Sequence, residues 1–351
     1  MRRDPAGGLQ HARGRGRRRL LGAAAGLALL VSAGCAGSSS AGGTVPNTIT
    51  IGAVPGIDTA PVFLAWKAGY FADAGMANVR IQPFATHAAE MQALLKGQVD
   101  ITASDYGTVF YEQAKSPGLL RVLADGYDAG PSVVEIVTLP GSGIHSPADL
   151  AGQTIGVPAE TVLPGKESAS NSPVSLESAA AAEELKIFLG AGVDTINWWP
   201  IAQEEEVTGL SNAPGGLHAV LLTEPNIYNA ASGYGATEVL DAFSGSTAGL
   251  PLTGYVTESS WASHHPAAVA DFQAAIARAQ GQASLTGQVQ QVLPATSDMT
   301  QEDAALSAIG TYPTTTSAVG LDRVVRLLGS LGVIDPAKEP SVGPMIIKPA
   351  G

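Results

Sequence analysis

Apolar residues in this chain follow two spacings that alternate. Short β-branched runs read as strands at 48–54, 79–83, 99–103, 119–125, 132–139, 154–157, 195–199, 218–222 and 252–257. Between them, apolar positions recur every three or four residues and read as helices at 60–74, 87–96, 106–115, 178–189, 204–210, 224–232, 266–283 and 318–331. In 60–74 the stripe is Val62, Phe63, Trp66, Tyr70 and Phe71. In 87–96 it is Met91, Leu94 and Leu95, and Gly97 is a natural C-terminal stop. Gly190 and Gly332 end two later helices in the same way. Strands separated by helices of about ten to fifteen residues predict parallel pairing through crossover units. The chain therefore reads as an α/β protein with two sheets. No short-period repeat of the solenoid kind is present.

The length of 351 residues supports two ordinary domains, each able to bury a core, and the charged fraction of 14% is too low for a disordered chain. The net charge of -12 hides an asymmetry: seven of the 19 basic residues but only one of the 31 acids lie in residues 1–34. The remainder carries 12 basic and 30 acidic residues, a balance of -18 that repels phosphate backbones and argues against nucleic-acid binding. After the leader, no stretch reaches the roughly 18 consecutive apolar residues of a membrane span.

Residues 1–34 read as an export signal. Arg13, Arg15, Arg17, Arg18 and Arg19 precede an apolar run over 20–31, which fits a signal-peptide core. The run ends in Ser32-Ala33-Gly34-Cys35, and Cys35 is the only cysteine in the chain. This ending resembles a bacterial lipobox, with Ser32 where a leucine is usual. Arg17-Arg18-Arg19-Leu20-Leu21 loosely resembles a twin-arginine signal, so either export route fits. Cys35 is then the lipidation site, and 35–46 a Gly/Ser-rich tether that holds the body outside the cell at the membrane. A lone lipidated cysteine also accounts for the lack of a disulfide partner.

Four motifs follow one another along the chain. The first is 49–75, where Ala65, Lys67, Ala68, Gly69, Tyr70, Phe71 and Gly75 supply the "A…KGYF…GL" helix. The second is 91–103 (MQALLKGQVDITA), followed by Ser104-Asp105-Tyr106. Ser146, Asp149, Leu150, Gly152 and Ile155-Gly156-Val157 supply the third. Leu217 to Val220 with Glu224-Pro225 supply the fourth. In this order the four resemble periplasmic substrate-binding proteins of the nitrate, sulfonate, taurine and thiamine-precursor type, with His218 where that family usually has Asp. The resemblance implies a periplasmic-binding-protein-like fold of type II, with two lobes, each a mainly parallel sheet flanked by helices. Lobe I would comprise 47–135 and 250–351, and lobe II 136–249, joined by two strand crossings near 134–139 and 250–256 that form the hinge. It also implies a monomer whose partners are a small-molecule ligand and an ABC permease/ATPase complex.

In open parallel sheets ligands lie beyond the carboxyl ends of strands, beside helix N-termini. That rule selects Asp58 and Thr59 after the first strand, Thr86 and His87 after the second, and Ser104, Asp105 and Tyr106 after the third. The second half contributes Glu160, Thr161 and Lys166 from the polar loop 158–175, one ring of Trp198 and Trp199 (Trp198 is taken), and Glu224. Tyr255, on the returning strand, is a further candidate for the pocket wall. Several of these, Asp58, Thr59, Asp105 and Glu224 among them, also suit helix caps or the positive end of a helix dipole. His87 is more often an ordinary helix-start residue than a ligand contact.

The arginines beyond the leader, Arg80, Arg121, Arg278, Arg323 and Arg326, all fall outside these loops, where Lys166 is the one basic residue. Carboxylates with nearby aromatics favour a neutral or cationic ligand, flat or amine-bearing, of which a thiamine-precursor-like pyrimidine is one case. A sulfonate, taurine or nitrate held by bare helix N-termini is the alternative within the same fold. A sensor module that hands its closed state to a membrane kinase is another. An enzyme is the third, because relatives of the fold include a pyrimidine synthase; its cysteine-rich segment has no counterpart here. Walker, GxSxG, HExxH and CxxC patterns are absent, and neither a cofactor nor a metal is expected.

Overall fold

A computed structural model describes residues 46–158, 175–202, 206–212 and 217–349. The leader with Cys35, and Glu160, Thr161 and Lys166 of the polar loop, lie outside the described residues. From its start the chain runs β1 (Ile49–Ala53), α1 (Ala60–Lys67), α2 (Tyr70–Asp73), β2 (Val79–Pro83), α3 (His87–Leu95), β3 (Ile101–Asp105), α4 (Tyr106–Lys115) and β4 (Leu120–Asp128). There follow β5 (Val134–Thr138), β6 (Thr154–Pro158), α5 (Leu176–Leu189), β7 (Asn197–Ile201), α6 (Glu206–Asn212), β8 (Ala219–Thr223), α7 (Asn226–Tyr234) and β9 (Thr237–Asp241). The last part comprises β10 (Pro251–Glu258), α8 (Ser259–His264), α9 (Pro266–Ala283), α10 (Thr286–Val292), α11 (Gln301–Leu306) and α12 (Ala318–Ser330).

The strands form two five-stranded sheets, in the orders β2-β1-β3-β10-β4 and β7-β6-β8-β5-β9. In each, one strand pairs in parallel with both neighbours, β1 with β2 and β3, and β6 with β7 and β8. The other pairings are antiparallel, so both sheets are mixed. The cause is the excursion of the chain. β10 enters the first sheet where β3 and β4 finish, with Thr253 opposite Asp105 and Pro251 opposite Asp128. The chain passes between sheets at 129–133 and 242–250, just before β5 and β10. These passages run side by side: the Ala129 amide donates to Leu250 O at 3.0 Å and the Ala242 amide to Val134 O at 2.9 Å. Arg323 of α12 steadies the second passage by donating to the carbonyls of Ser246 and Ala248, both at 2.9 Å.

One buried apolar cluster includes Ile51, Ile101 and Phe110 around the first sheet and Ile155 and Leu221 from the second. Long α9 covers one face of the first sheet, with Phe272 stacked on Phe71 at 5.9 Å and edge-on to Tyr255 at 5.5 Å. A smaller cluster of Val137, Ile201, Val220, Leu222 and Ile227 packs under α6 and α7. The helix expected over 60–74 is broken in two because Gly69 has φ of 75°. That left-handed turn is one only glycine adopts without strain. β9 escaped the pattern reading because its apolar residues, Val239 and Leu240, are adjacent and show no alternation.

Candidate functional site

The carboxyl ends of β1 and β3 and the N-termini of α1, α3 and α4 bring three predicted loops to one end of the first sheet. Thr59 is fully buried and spent on its own loop. Its hydroxyl donates to Val54 O at 2.6 Å and accepts from the Gly56 amide at 3.2 Å. That bracing leaves the neighbouring Asp58 carboxylate 3.8 Å from Nε2 of His87. Thr86 is the cap of α3, with its hydroxyl accepting from the Ala89 amide at 3.0 Å. The cap sets the first helical turn, in which His87 Nδ1 meets Glu90 Oε1 at 2.8 Å. Glu90 is fully buried, and the hydroxyl of buried Ser104 faces its carboxyl, a contact that favours the charged form.

Asp105 ends β3 and caps α4, its Oδ1 accepting from the Thr108 amide at 3.0 Å. Its Oδ2 accepts from the Leu176 amide, at the start of α5, at 3.4 Å. One carboxylate thus receives the first turns of two helices from opposite sheets. Ser175 caps α5, accepting from the Ser178 amide and donating to Glu177 Oε2 at 2.6 Å.

The electrostatics follow from this crowding of acids. Burial pushes the Asp105 carboxyl up, and the negative charge of Glu177 adds to the rise, while His87 and the two amides oppose it. Burial also raises Asp58, offset by His87 and reinforced by Glu177. Glu90 is pushed up to about 7 by burial, against its hydrogen bond to His87. Burial opposes the charge on His87, but the bond to Glu90 and the fields of Glu90, Asp58 and Asp105 outweigh it and raise the imidazole to about 10. At neutral pH an imidazolium therefore sits among four carboxyl groups. The cluster holds no arginine or lysine among the described residues. Nor do the described residues contain a group of three or more His, Cys, Asp or Glu side chains arranged to hold a metal ion.

Other predicted contacts are used differently. Tyr106, expected to offer a ring face and a hydroxyl, is completely buried beneath this cluster. Its ring stacks on Phe110 at 5.6 Å and its hydroxyl donates to Asp125 Oδ1, so both are taken within the protein. Tyr255 packs against Phe272 with its hydroxyl buried against the Val62 backbone. On β7, alternation decides between the tryptophans: Trp198 is the buried one at 6% exposure and Trp199 the exposed one at 57%. The ring chosen from the sequence is thus the one packed in the core. Glu224 is occupied twice, accepting from the Tyr228 amide at 3.1 Å and from the Ala308 amide at 3.0 Å. It ties α7 to the segment after α11, beside a second link from the Tyr228 hydroxyl to Glu302 at 3.0 Å. Glu90, Glu177 and Asp125 escaped the sequence reading. For Glu90 a signal existed, since i,i+3 spacing from His87 puts both side chains on one helix face.

Residues 57–165 match a family model described as NMT1/THI5 like. No curated protein sequence matches the chain. Solved structures of similar shape include the periplasmic aliphatic sulphonate binding protein SsuA from Escherichia coli, at TM-score 0.65 and 15% identity, covering 86% of this chain and 98% of that one. The zinc-bound ligand binding component of an ABC-type import system from Staphylococcus aureus aligns at TM-score 0.65 and 13% identity, covering 86% and 96%. The desulfurization enzyme DSZB aligns at TM-score 0.62 and 14% identity, covering 84% and 94%, so the same architecture also hosts catalysis. The chain thus has the periplasmic-binding-protein-like fold, and the segment that matches the NMT1/THI5-like model holds Asp58, Thr86, His87, Glu90 and Asp105.

Proposed function

We propose that this chain is an extracytoplasmic solute-binding lipoprotein that captures a small molecule between two lobes and delivers it to an ABC importer without altering it. The lobes would be 47–135 with 250–351, and 136–249, with the boundary inside β5, whose Val134 and Glu135 already pair in the second sheet. Ligand contacts to both lobes would favour the closed form by population shift. The resemblance to an import-system component and to a sulphonate-binding protein supports this reading. The lipobox-like Ser32 to Cys35 supports an anchor on the outer face of the membrane. No helix among the described residues is long and apolar enough to cross a membrane.

The observation that carries the site is the cluster of Asp58, His87, Glu90 and Asp105, which Asp105 joins to the first turn of α5 and whose two aspartates feel the charge of Glu177. Four carboxyl groups against one imidazolium select a neutral or cationic ligand, flat or amine-bearing, of the kind exemplified by an aminopyrimidine. A thermal-shift screen of amines, pyrimidines, sulfonates and nitrate tests this, because a ligand that binds only the folded state raises the Tm by mass action. An amine or pyrimidine hit that Asp58→Asn weakens, and that is recovered chemically unchanged, is the expected result. Recovery of a converted product would replace the reading with an enzymatic one, and a hit confined to sulfonates or nitrate would overturn the ligand class.

A further inference from the structure

The passages before β5 and β10 join the two sheets covalently; a separate tie is made by hydrogen bonds alone. Its base is α11, which packs on α10, itself packed against α1 and α9 beside the first sheet. The start of α11 is fixed by Thr300, whose hydroxyl accepts from the Asp303 amide at 3.1 Å while its own amide donates to the Asp303 carboxylate at 2.8 Å. From that base two bonds reach the region of α7, which lies between β8 and β9 of the second sheet. The Tyr228 hydroxyl donates to Glu302 at 3.0 Å, and Glu224, just ahead of α7, accepts from the Ala308 amide at 3.0 Å. The chain then returns to the first sheet. The Gly310 amide donates to the Tyr127 hydroxyl at 2.6 Å, and Thr311 exchanges backbone hydrogen bonds of 2.9 and 3.0 Å with Asp128. The Tyr312 hydroxyl donates to Ile57 O at 2.7 Å. Ile57 precedes Asp58, so the segment that grips the second sheet also holds a loop of the candidate site.

We propose that residues 301–312 form a clasp that latches the second half of the molecule to the first, with Glu224 and Tyr228 as its catch. Glu224 is then a positioning residue, which sets how readily the halves part, rather than a ligand contact. One of its oxygens starts α7 by accepting from the Tyr228 amide, and the other crosses to Ala308. Strength and reversibility both suit the role. An amide bonded to a carboxylate is stronger than a neutral pair, and Glu224 and Ala308 are half-buried. The bond from Tyr228 to Glu302 is exposed, so both groups turn to water when it breaks. Leu306, the large apolar residue at the end of α11, is 55% exposed and does not seal the contact. A polar tie of this kind parts more readily than an apolar interface. This role rests on the reading of a molecule that opens and closes around a solute, and it names what holds the closed form.

The test is hydrogen exchange of the full chain with no ligand added, read at two amides. One is Ala308, in the clasp. The other is Leu176, the donor to Asp105 in a contact between the sheets that shares no residue with the clasp. Circular dichroism confirms folding. Glu224→Ala is expected to speed exchange at both amides at least about tenfold, in line with the loss of one charge-assisted bond. Adding Tyr228→Phe speeds both further, and small-angle scattering of the double variant gives a larger radius of gyration than the parent. Faster exchange at Ala308 alone, with Leu176 and the radius unchanged, overturns the inference and reduces Glu224 to a brace for the end of α11. Unchanged exchange at both amides in folded variants overturns it as well. Glu224→Gln, which keeps the length of the side chain and one acceptor oxygen, carries the same two readings if Glu224→Ala does not fold. Because no ligand enters, a failed thermal-shift screen leaves the clasp standing, and a failed clasp leaves the ligand class untouched.

Discussion

At Gly254 an added Cβ would collide with the hydroxyl of Tyr106. That hydroxyl cannot retreat, because it is bonded to Asp125, whose other oxygen accepts from the Ser317 amide at 2.8 Å. The missing side chain on β10 thus makes room for a buried tyrosine under the candidate site. Gly254→Ala is expected to lower stability by about 1–3 kcal/mol, the usual cost of overpacking. Urea unfolding checks it, and Gly254→Ala combined with Tyr106→Phe should recover only part of the loss, since the phenyl ring still occupies the space. Unchanged stability in Gly254→Ala would contradict this packing. Much of the residue-level chemistry was legible beforehand. Asp58, Thr86, His87, Ser104 and Asp105 were picked out because strand ends and helix starts are readable, and they lie together. Which ring of Trp198 and Trp199 is buried was not readable, since it depends on the phase of an edge strand that starts two residues later than its apolar pattern.

Among the elements, α5 is fastened at both ends. Its N-terminus meets Asp105, and Glu184 near its other end gathers the turn before β10. One Glu184 oxygen accepts from the Ser246 hydroxyl at 2.8 Å and from both the amide and the hydroxyl of Thr247 at 2.9 Å. Glu184 is 2% exposed, so its loss would leave the Thr247 amide and the Ser246 hydroxyl without this acceptor, while the Thr247 hydroxyl still reaches the carbonyls of Ala242 and Ser244. Glu184→Ala should cost about 2–4 kcal/mol in a denaturant titration, in keeping with unmet buried donors. A loss below 0.5 kcal/mol, the range of ordinary surface changes, would show the turn to be self-supporting. Helices with a continuous stripe, such as α4 and α9, match their expected bounds at both ends. The antiparallel membership of β5 and β10 was hidden, because a strand's own pattern records which faces are buried but not the direction of its neighbours.

For the molecule as a whole, buried acids set the response to pH. Burial raises Asp125 to about 6 and Asp128, Glu135 and Glu90 to about 7, with Asp125 adding to the rise of Asp128. A carboxyl raised on folding contributes stability below its unfolded value, and that contribution is lost as pH climbs through the folded one. His87, raised to about 10, loses its contribution at still higher pH, in the same direction. The excess of acids in the body adds self-repulsion to both. The protein is therefore expected to melt several degrees higher at pH 5 than at pH 8, as scanning calorimetry at matched ionic strength would record. Equal or reversed melting temperatures would mean that these carboxyls stay hydrated.

The paired passages between the sheets carry a consequence for engineering and descent. Residues 134–241 leave and re-enter the rest of the chain at points one hydrogen bond apart, Val134 O to the Ala242 amide and Ala129 to Leu250. A segment with such adjoining ends behaves as a cassette. It can be exchanged with the matching piece of another chain at only two splice points, so that one half of a recognition surface is inherited, swapped or rebuilt while the other half is left untouched.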